Sequence, residues 1–256
     1  MEPLAIGVPI VAAAGAGLAA WGAVAPSSQL FGPVLKRLPS ESRRRIALTF
    51  DDGPNPAITP RLLALLERYN ARSTFFIIGR YAAQCPDLVR EIAARGHLLA
   101  NHTHTHPNLF WLTRARIERE LRQCEETVAA ALATMKSSPA GEALQMREVA
   151  AGAASAIAMP WMRPPFGIRG PQLNGVAQAR GIRGVVTWSH NCLDWKPQPA
   201  AQMIARLEQV RARDIVLMHD GDYRAQGGDR AHVLAALEHW LPRWRDAGLE
   251  FVTIAQ

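Results

Sequence analysis

The sequence predicts an α/β chain built on one parallel sheet of about seven strands, closed into a barrel with helices outside. Three observations point there. Short apolar runs alternate with amphipathic helical stretches from residue 45 onward, the signature of repeated β-α units. The runs read as near-continuous apolar strands, which suits a sheet covered on both faces. Rare polar residues stand directly after the runs, where a parallel barrel gathers its strand ends into a site.

The elements follow in order. Leu4 to Ala25 carries no charge and is long enough to cross a bilayer. It follows "MEP" rather than the basic residues of a secretory signal. Residues 1–26 are therefore expected to form a membrane-anchor helix, and 27–44, polar and Pro-containing, a linker to a catalytic domain at 45–256. That expectation places the protein at the cell envelope. Lys36, Arg37, Arg43, Arg44 and Arg45 favour a cytoplasmic domain by the positive-inside rule, whereas an envelope substrate needs it outside, so the side stays open.

"RIALTF" (45–50), "STFFII" (73–78) and "HLLAN" (97–101) read as strands. "TPRLLALLERYN" (59–70) has Pro at its start and helical apolar spacing, and "DLVREIAARG" (87–96) is a helix stopped by glycine. "RARIERELRQCEETVAAAL" (114–132) is an amphipathic helix. "GVVTWS" (184–189) and "DIVLMH" (214–219) are strands around a helix at 200–212. A helix at 229–246 leads to the last strand, "EFVTI". Residues 133–160 have small side chains and no clean period, and read as a loop insertion.

Composition narrows the classes. The 29 basic against 22 acidic residues give +7, which favours anionic surfaces. No basic stripe interleaves with aromatics, which argues against a nucleic-acid partner. The three cysteines are too few and dispersed for a disulfide framework or a CxxC zinc site. Cys192 near His190 has no independent support as a nucleophile.

The polar residues after strands carry the chemistry. Asp51 and Asp52 are adjacent carboxylates aimed differently, so that one can ligate a cation while the other serves as a base. "NHTHTHP" offers His102, His104 and His106. As a strand it would put all three on one face; as a helix only His102 and His106 would share one. His102, His106 and one carboxylate would make a two-His, one-carboxylate set with open positions, suited to Zn²⁺ or another divalent ion. His219 follows another strand.

Taken together and in order, TFDDGP, HTHTH, RPPFG, LDW and VLMHD resemble the motifs of the polysaccharide deacetylase family (the NodB-homology domain, carbohydrate esterase family 4) over about residues 45 to 255. The resemblance implies a distorted (β/α) barrel with fewer than eight strands and metal-dependent removal of acetyl groups from N-acetylated sugars. It implies Asp51 as general base, Asp52, His102 and His106 as metal ligands, and Arg163 as the group orienting Asp51. It further implies the Phe166 backbone N–H as oxyanion donor, Trp195 and Leu217 as the acetyl-methyl pocket, and His219 as general acid. His104 falls at a variable position. Zn²⁺ is the first expectation for the metal, with Co²⁺, Ni²⁺ and Mn²⁺ open to the same donors.

One departure stands out: Asn191 occupies the place of a family Asp associated with tuning the acidic histidine. Asn supplies no charge, so His219 is expected to hold its proton less strongly. Peptidoglycan, poly-N-acetylglucosamine, chitin-like oligomers and lipid-linked sugars all fit as substrates. Two other readings are a C–N hydrolase of a small non-sugar amide and a non-catalytic carbohydrate-binding relic. The retained metal set argues against a metal-free site, and the retained Asp51 and His219 against a relic.

Overall fold

The structure is a computed structural model describing residues 15–133 and 159–256. Residues 1–14 of the expected anchor and most of the 133–160 insertion lie outside the described residues. The first described element is a helix over 15–24 (α1). Then come β1 (Val34–Leu35), β2 (Arg45–Gly53), α2 (Thr59–Arg68), β3 (Thr74–Ile77), α3 (Gly79–Gln84), α4 (Pro86–Ala94), β4 (Leu98–Asn101) and α5 (Arg114–Ala133). After the insertion follow β5 (Trp161–Met162), α6 (Leu173–Ala179), β6 (Gly184–Val186), β7 (His190–Asn191), α7 (Ala200–Leu207), β8 (Ile215–His219), α8 (Ala231–Asp246) and β9 (Glu250–Phe251).

The strands pair in parallel in the order β1-β6-β5-β4-β3-β2-β8-β7, with β9 added at the start of β2. This is the distorted, open (β/α) barrel, with nine strands among the described residues rather than seven. The extra ones are short: β1 and β7 have two residues each and no apolar run to announce them.

Alternation along β2 builds two layers. Ile46, Leu48 and Phe50 join the large core between sheet and helices, with Leu62, Leu63 and Leu66 of α2 and Leu237 and Leu241 of α8. Ala47 faces the other way, into an inner core with Phe76, Ala100, Val186 and Ile215. Period two therefore carries Thr49 and Asp51 inward as well. α5 buries Ile117, Leu121, Cys124, Val128 and Ala131, a helical stripe at spacings of three and four.

The stretch 27–44 is not a free linker. Its β1 pairs with β6, Leu38 is buried, and Arg37 bonds Asp214 at 2.7 Å. The end of α1 is held too. Buried Arg169 donates to the carbonyls of Gly22 (3.2 Å), Ala25 (2.7 Å) and Ser28 (3.3 Å). A guanidinium at a helix C-terminus satisfies carbonyls that the helix itself leaves open. No helix among the described residues is long and apolar enough to cross a membrane.

Candidate active site

Asp51 ends the inward row of β2. In the β2–β8 ladder its register partner is His219, so the two stand side by side at neighbouring strand ends. Arg163, one residue past β5, fills the barrel beneath them. It is fully buried and lies on the Phe76 ring, 4.1 Å from its centroid. It donates to Asp51 Oδ1 (2.7 Å), Thr49 Oγ1 (2.8 Å) and the Thr187 carbonyl (2.9 Å). A buried cation requires such partners, and a buried carboxylate likewise.

Asp52 turns away from Asp51 through a left-handed backbone, φ 68. Two glycines make room. A Cβ on Gly221 would stand 1.9 Å from the Asp52 carbonyl oxygen, and one on Gly53 would stand 2.4 Å from Asp220 Oδ2. Asp220 itself is sealed beneath, accepting a hydrogen bond from the Thr59 hydroxyl. Burial, reinforced by the charges of Asp52 and Asp51, lifts its carboxyl to about 7 against that hydrogen bond.

"HTHTH" is neither strand nor helix. The chain leaves β4 and turns through left-handed Thr103 (φ 69) and His106 (φ 62). The threonines hold the turn. Thr103 Oγ1 accepts from the His106 amide at 3.0 Å, and the buried Glu120 carboxylate accepts from Thr105 N (2.8 Å) and Oγ1 (2.9 Å). The His102 and His106 rings stand 4.9 Å apart. His104 packs at Gly79 instead, where a Cβ would meet its Nδ1 at 2.5 Å.

Asp52, His102 and His106 then converge, with one donor atom from each inside 4.8 Å. Whether they fit a cation is decided by their lone pairs. His102 Nδ1 lies 2.8 Å from the Arg163 carbonyl, which can only accept, so the proton sits on Nδ1 and the Nε2 lone pair faces inward. That lone pair is 3.4 Å from Asp52 Oδ1, and His106 Nε2 is 3.2 Å from the same oxygen. Asp52 Oδ1 is buried with no hydrogen-bond donor among the described residues. Burial and the neighbouring His102 drive His106 down to about 3 in spite of Asp52, so the His106 ring is neutral. Burial alone would raise Asp52, but the surrounding imidazoles of His102, His106 and His219 hold its carboxyl below the ordinary carboxylate range. A buried carboxylate beside the Nε2 atoms of two histidines is a donor set that fits a divalent metal.

The acidic side corrects one expectation. Asn191 does not reach His219; its Oδ1 accepts from the Leu193 amide at 2.8 Å and fixes the turn after β7. The charge comes from Asp194. Its Oδ1 meets His219 Nδ1 at 2.9 Å and its Oδ2 accepts from the His219 amide at 2.6 Å. Burial would lower the imidazole, but Asp194, with Asp52 and Asp51 behind it, raises it to about 9. His219 therefore holds its proton more strongly than a free histidine, the reverse of what Asn191 suggested.

A cavity of about 460 Å³ opens over this centre. Its lining includes Asp51, Asp52, His102, His106, Phe166, Asn191, Trp195, Leu217 and His219, while Arg163 lies behind Asp51. Phe166 (φ 60) and Trp195 stand half-exposed at the mouth, and Leu217 is buried. Left-handed non-glycine residues gather here: Asp52, Thr103, His106, Phe166 and Leu193. Such backbone is unfavourable by about 1–3 kcal/mol each and is held where the surroundings over-determine it. Sequence reasoning missed Glu120, Trp188 and Tyr223. Glu120 looks like a surface residue of α5, and Tyr223 is marked only by its nearness to His219.

Comparison with known proteins agrees with this geometry. The family described as "Polysaccharide deacetylase" matches residues 39–144. A chitooligosaccharide deacetylase of Sinorhizobium fredii is 33% identical over 217 residues, 82% of this chain and 90% of that protein. A crystal structure of a peptidoglycan N-acetylglucosamine deacetylase superposes with a TM-score of 0.70 at 27% identity, covering 86% of this chain and 90% of that one. A family 4 carbohydrate esterase from Streptomyces lividans, solved with acetate, gives 0.64 at 27% identity, with 81% and 91% covered. With its strand-end carboxylates and histidines in the family's order and a relative of this similarity along nearly its full length, the chain belongs to the polysaccharide deacetylase family.

Proposed function

We propose that the protein is a metal-dependent hydrolase that removes N-acetyl groups from a glycan containing N-acetylglucosamine. One observation carries the reading. An Asp-His-His donor set shares a single mouth with a base and a protonated acid on adjacent strand ends. The sugar is taken from the names of two relatives, a chitooligosaccharide deacetylase and a peptidoglycan-N-acetylglucosamine deacetylase, the second of which names it.

Asp52, His102 and His106 would hold the metal, Zn²⁺ first among the divalent ions that such donors accept. When bound, it supplies Lewis acidity to the amide carbonyl and the attacking water. Asp51 takes the water's proton; Arg163 occupies its Oδ1, leaving Oδ2 toward His102. The Phe166 amide stabilises the oxyanion, and one such donor is typically worth about 3 kcal/mol. His219 gives its proton to the departing nitrogen, because an amine cannot leave as its anion. Trp195 and Leu217 flank the acetyl methyl. The products are acetate and a free amino sugar.

The test is acetate release by the full chain from N-acetylglucosamine oligomers and peptidoglycan fragments, after chelation and metal add-back, beside Asp52→Ala. Metal-restored release absent from the variant is expected. Bound metal with release only from small non-sugar amides would move the assignment to the alternative hydrolase.

A membrane association is supported by a separate observation. Leu18, Trp21 and Val24, three residues apart on α1, and neighbouring Leu30 are 45 to 57% exposed. They continue the uncharged run from Leu4, with Lys36, Arg37, Arg43 and Arg44 just beyond. An apolar face beside cations suits an anionic bilayer at the cell envelope. Flotation with anionic vesicles should carry the full chain, and Leu18→Ser with Trp21→Ser should release it. Absence of flotation with dimers in solution would assign the face to a second copy.

A further inference from the structure

The two histidines of the centre are supported unequally. A ligating histidine is ordinarily fixed by a hydrogen bond at its other ring nitrogen. His102 has one, to the Arg163 carbonyl at 2.8 Å. His106 has none among the described residues: its Nδ1 is buried without a hydrogen-bond partner there. An imidazole turns broadly about its terminal torsion, so some other contact must set where Nε2 points.

That contact is aromatic. The Tyr223 ring stacks on the His106 ring, centroids 4.5 Å apart and planes at 19°. Phe166 stands edge-on to both, at 4.6 Å from His106 and 5.1 Å from Tyr223. Tyr223 is itself anchored from outside the site. Its carbonyl accepts from the Arg80 guanidinium, and Tyr81 Oη lies 3.0 and 3.1 Å from the carbonyls of Asp222 and Tyr223. Arg224 covers the tyrosine, its guanidinium carbon 5.2 Å from the ring centroid.

We propose that Tyr223 is a positioning residue: its ring clamps the His106 imidazole in the rotation that aims Nε2 at Asp52, replacing the hydrogen bond that His106 lacks. The proposal rests on the metal centre of Asp52, His102 and His106. It makes the loop after β8, which bears the acid His219, a support of the metal ligands as well. A planar side chain is required and its hydroxyl is not. The clamp acts on the centre before any substrate arrives.

The test is Co²⁺ binding to the chelated full-length protein without substrate, followed by titration calorimetry and the visible absorption of the bound ion. Tyr223→Ala and Tyr223→Leu should bind about 10- to 100-fold more weakly, the range for loss of a group orienting a metal ligand. Their cobalt bands should change shape, while Tyr223→Phe stays close to wild type in both readouts. Thermal melts of the metal-free proteins report whether the fold itself needs the ring. Wild-type affinity and spectrum in Tyr223→Leu would overturn the proposal, as would a Phe variant as weak as the Ala variant. Failure of both the Ala and Leu variants to fold without metal would overturn it too, since the ring would then serve the chain rather than the imidazole. If wild type binds no Co²⁺, the metal centre itself is wrong, a result distinct from all of these.

Discussion

Replacing Asp194 with Asn isolates what sets the acid. The carboxylate uses both oxygens, one toward His219 Nδ1 at 2.9 Å and one toward the His219 amide at 2.6 Å. Asn has a single acceptor, so one of those N–H groups must face an NH₂, at about 1–3 kcal/mol for an unsatisfied buried donor. It also removes the charge. His219 lies at about 9 against an ordinary 6.5, and at about 1.4 kcal/mol per pH unit that rise is worth about 3 kcal/mol. Because the folded value is raised, this stabilisation is complete below 6.5 and lost as pH climbs through about 9. Without Asp194, burial is opposed only by the more weakly acting Asp52 and Asp51. The alkaline limb of kcat/KM for acetate release should therefore move down by about two pH units or more, and the variant should approach wild-type rates only toward acid. A bound cation lowers both profiles together, so the gap between them is the quantity to read. Coincident alkaline limbs would refute the reasoning.

Four further outcomes follow from the same geometry. Asn191→Asp should move the alkaline limb far less than Asp194→Asn, because position 191 serves the Leu193 amide; paired pH–rate profiles check this. Arg163→Met leaves Asp51 as a buried, unpaired carboxylate, and urea unfolding should show a loss of about 3–5 kcal/mol together with loss of acetate release. Chelation should abolish acetate release and divalent ions restore it. Glu120→Gln, which loosens the Thr105 turn, should lower Co²⁺ affinity without touching a ligand, as titration calorimetry would report.

What the sequence made legible was whatever a local pattern encodes. The apolar run ending in Asp51 gave β2 and, through its alternation, the inward row on which Thr49 and Asp51 sit. Helices such as α5 and α8 were visible in their periodicity. β1 and β7 were not, since a two-residue strand is defined by its partner rather than by its composition. The site was legible where one motif follows one strand. It was obscure where a role depends on a contact across the barrel: Asp194 was visible in LDW, but only the turn at Leu193 (φ 53) decides that it, rather than Asn191, faces His219. Glu120 lies fifteen residues beyond the threonine it holds. Periodicity carries no information about such pairings.

The clasp between Arg169 and residues 22–28 sets where this protein can be cut. A truncation beginning at residue 45, where the apolar pattern starts, would strip three carbonyls from a sealed guanidinium and leave the backbone of β6 open along one side. A stranded cation destabilises the fold, and an open strand edge recruits other chains. Soluble preparations should therefore begin before Gly22; shorter ones are expected to aggregate even though every catalytic side chain is retained.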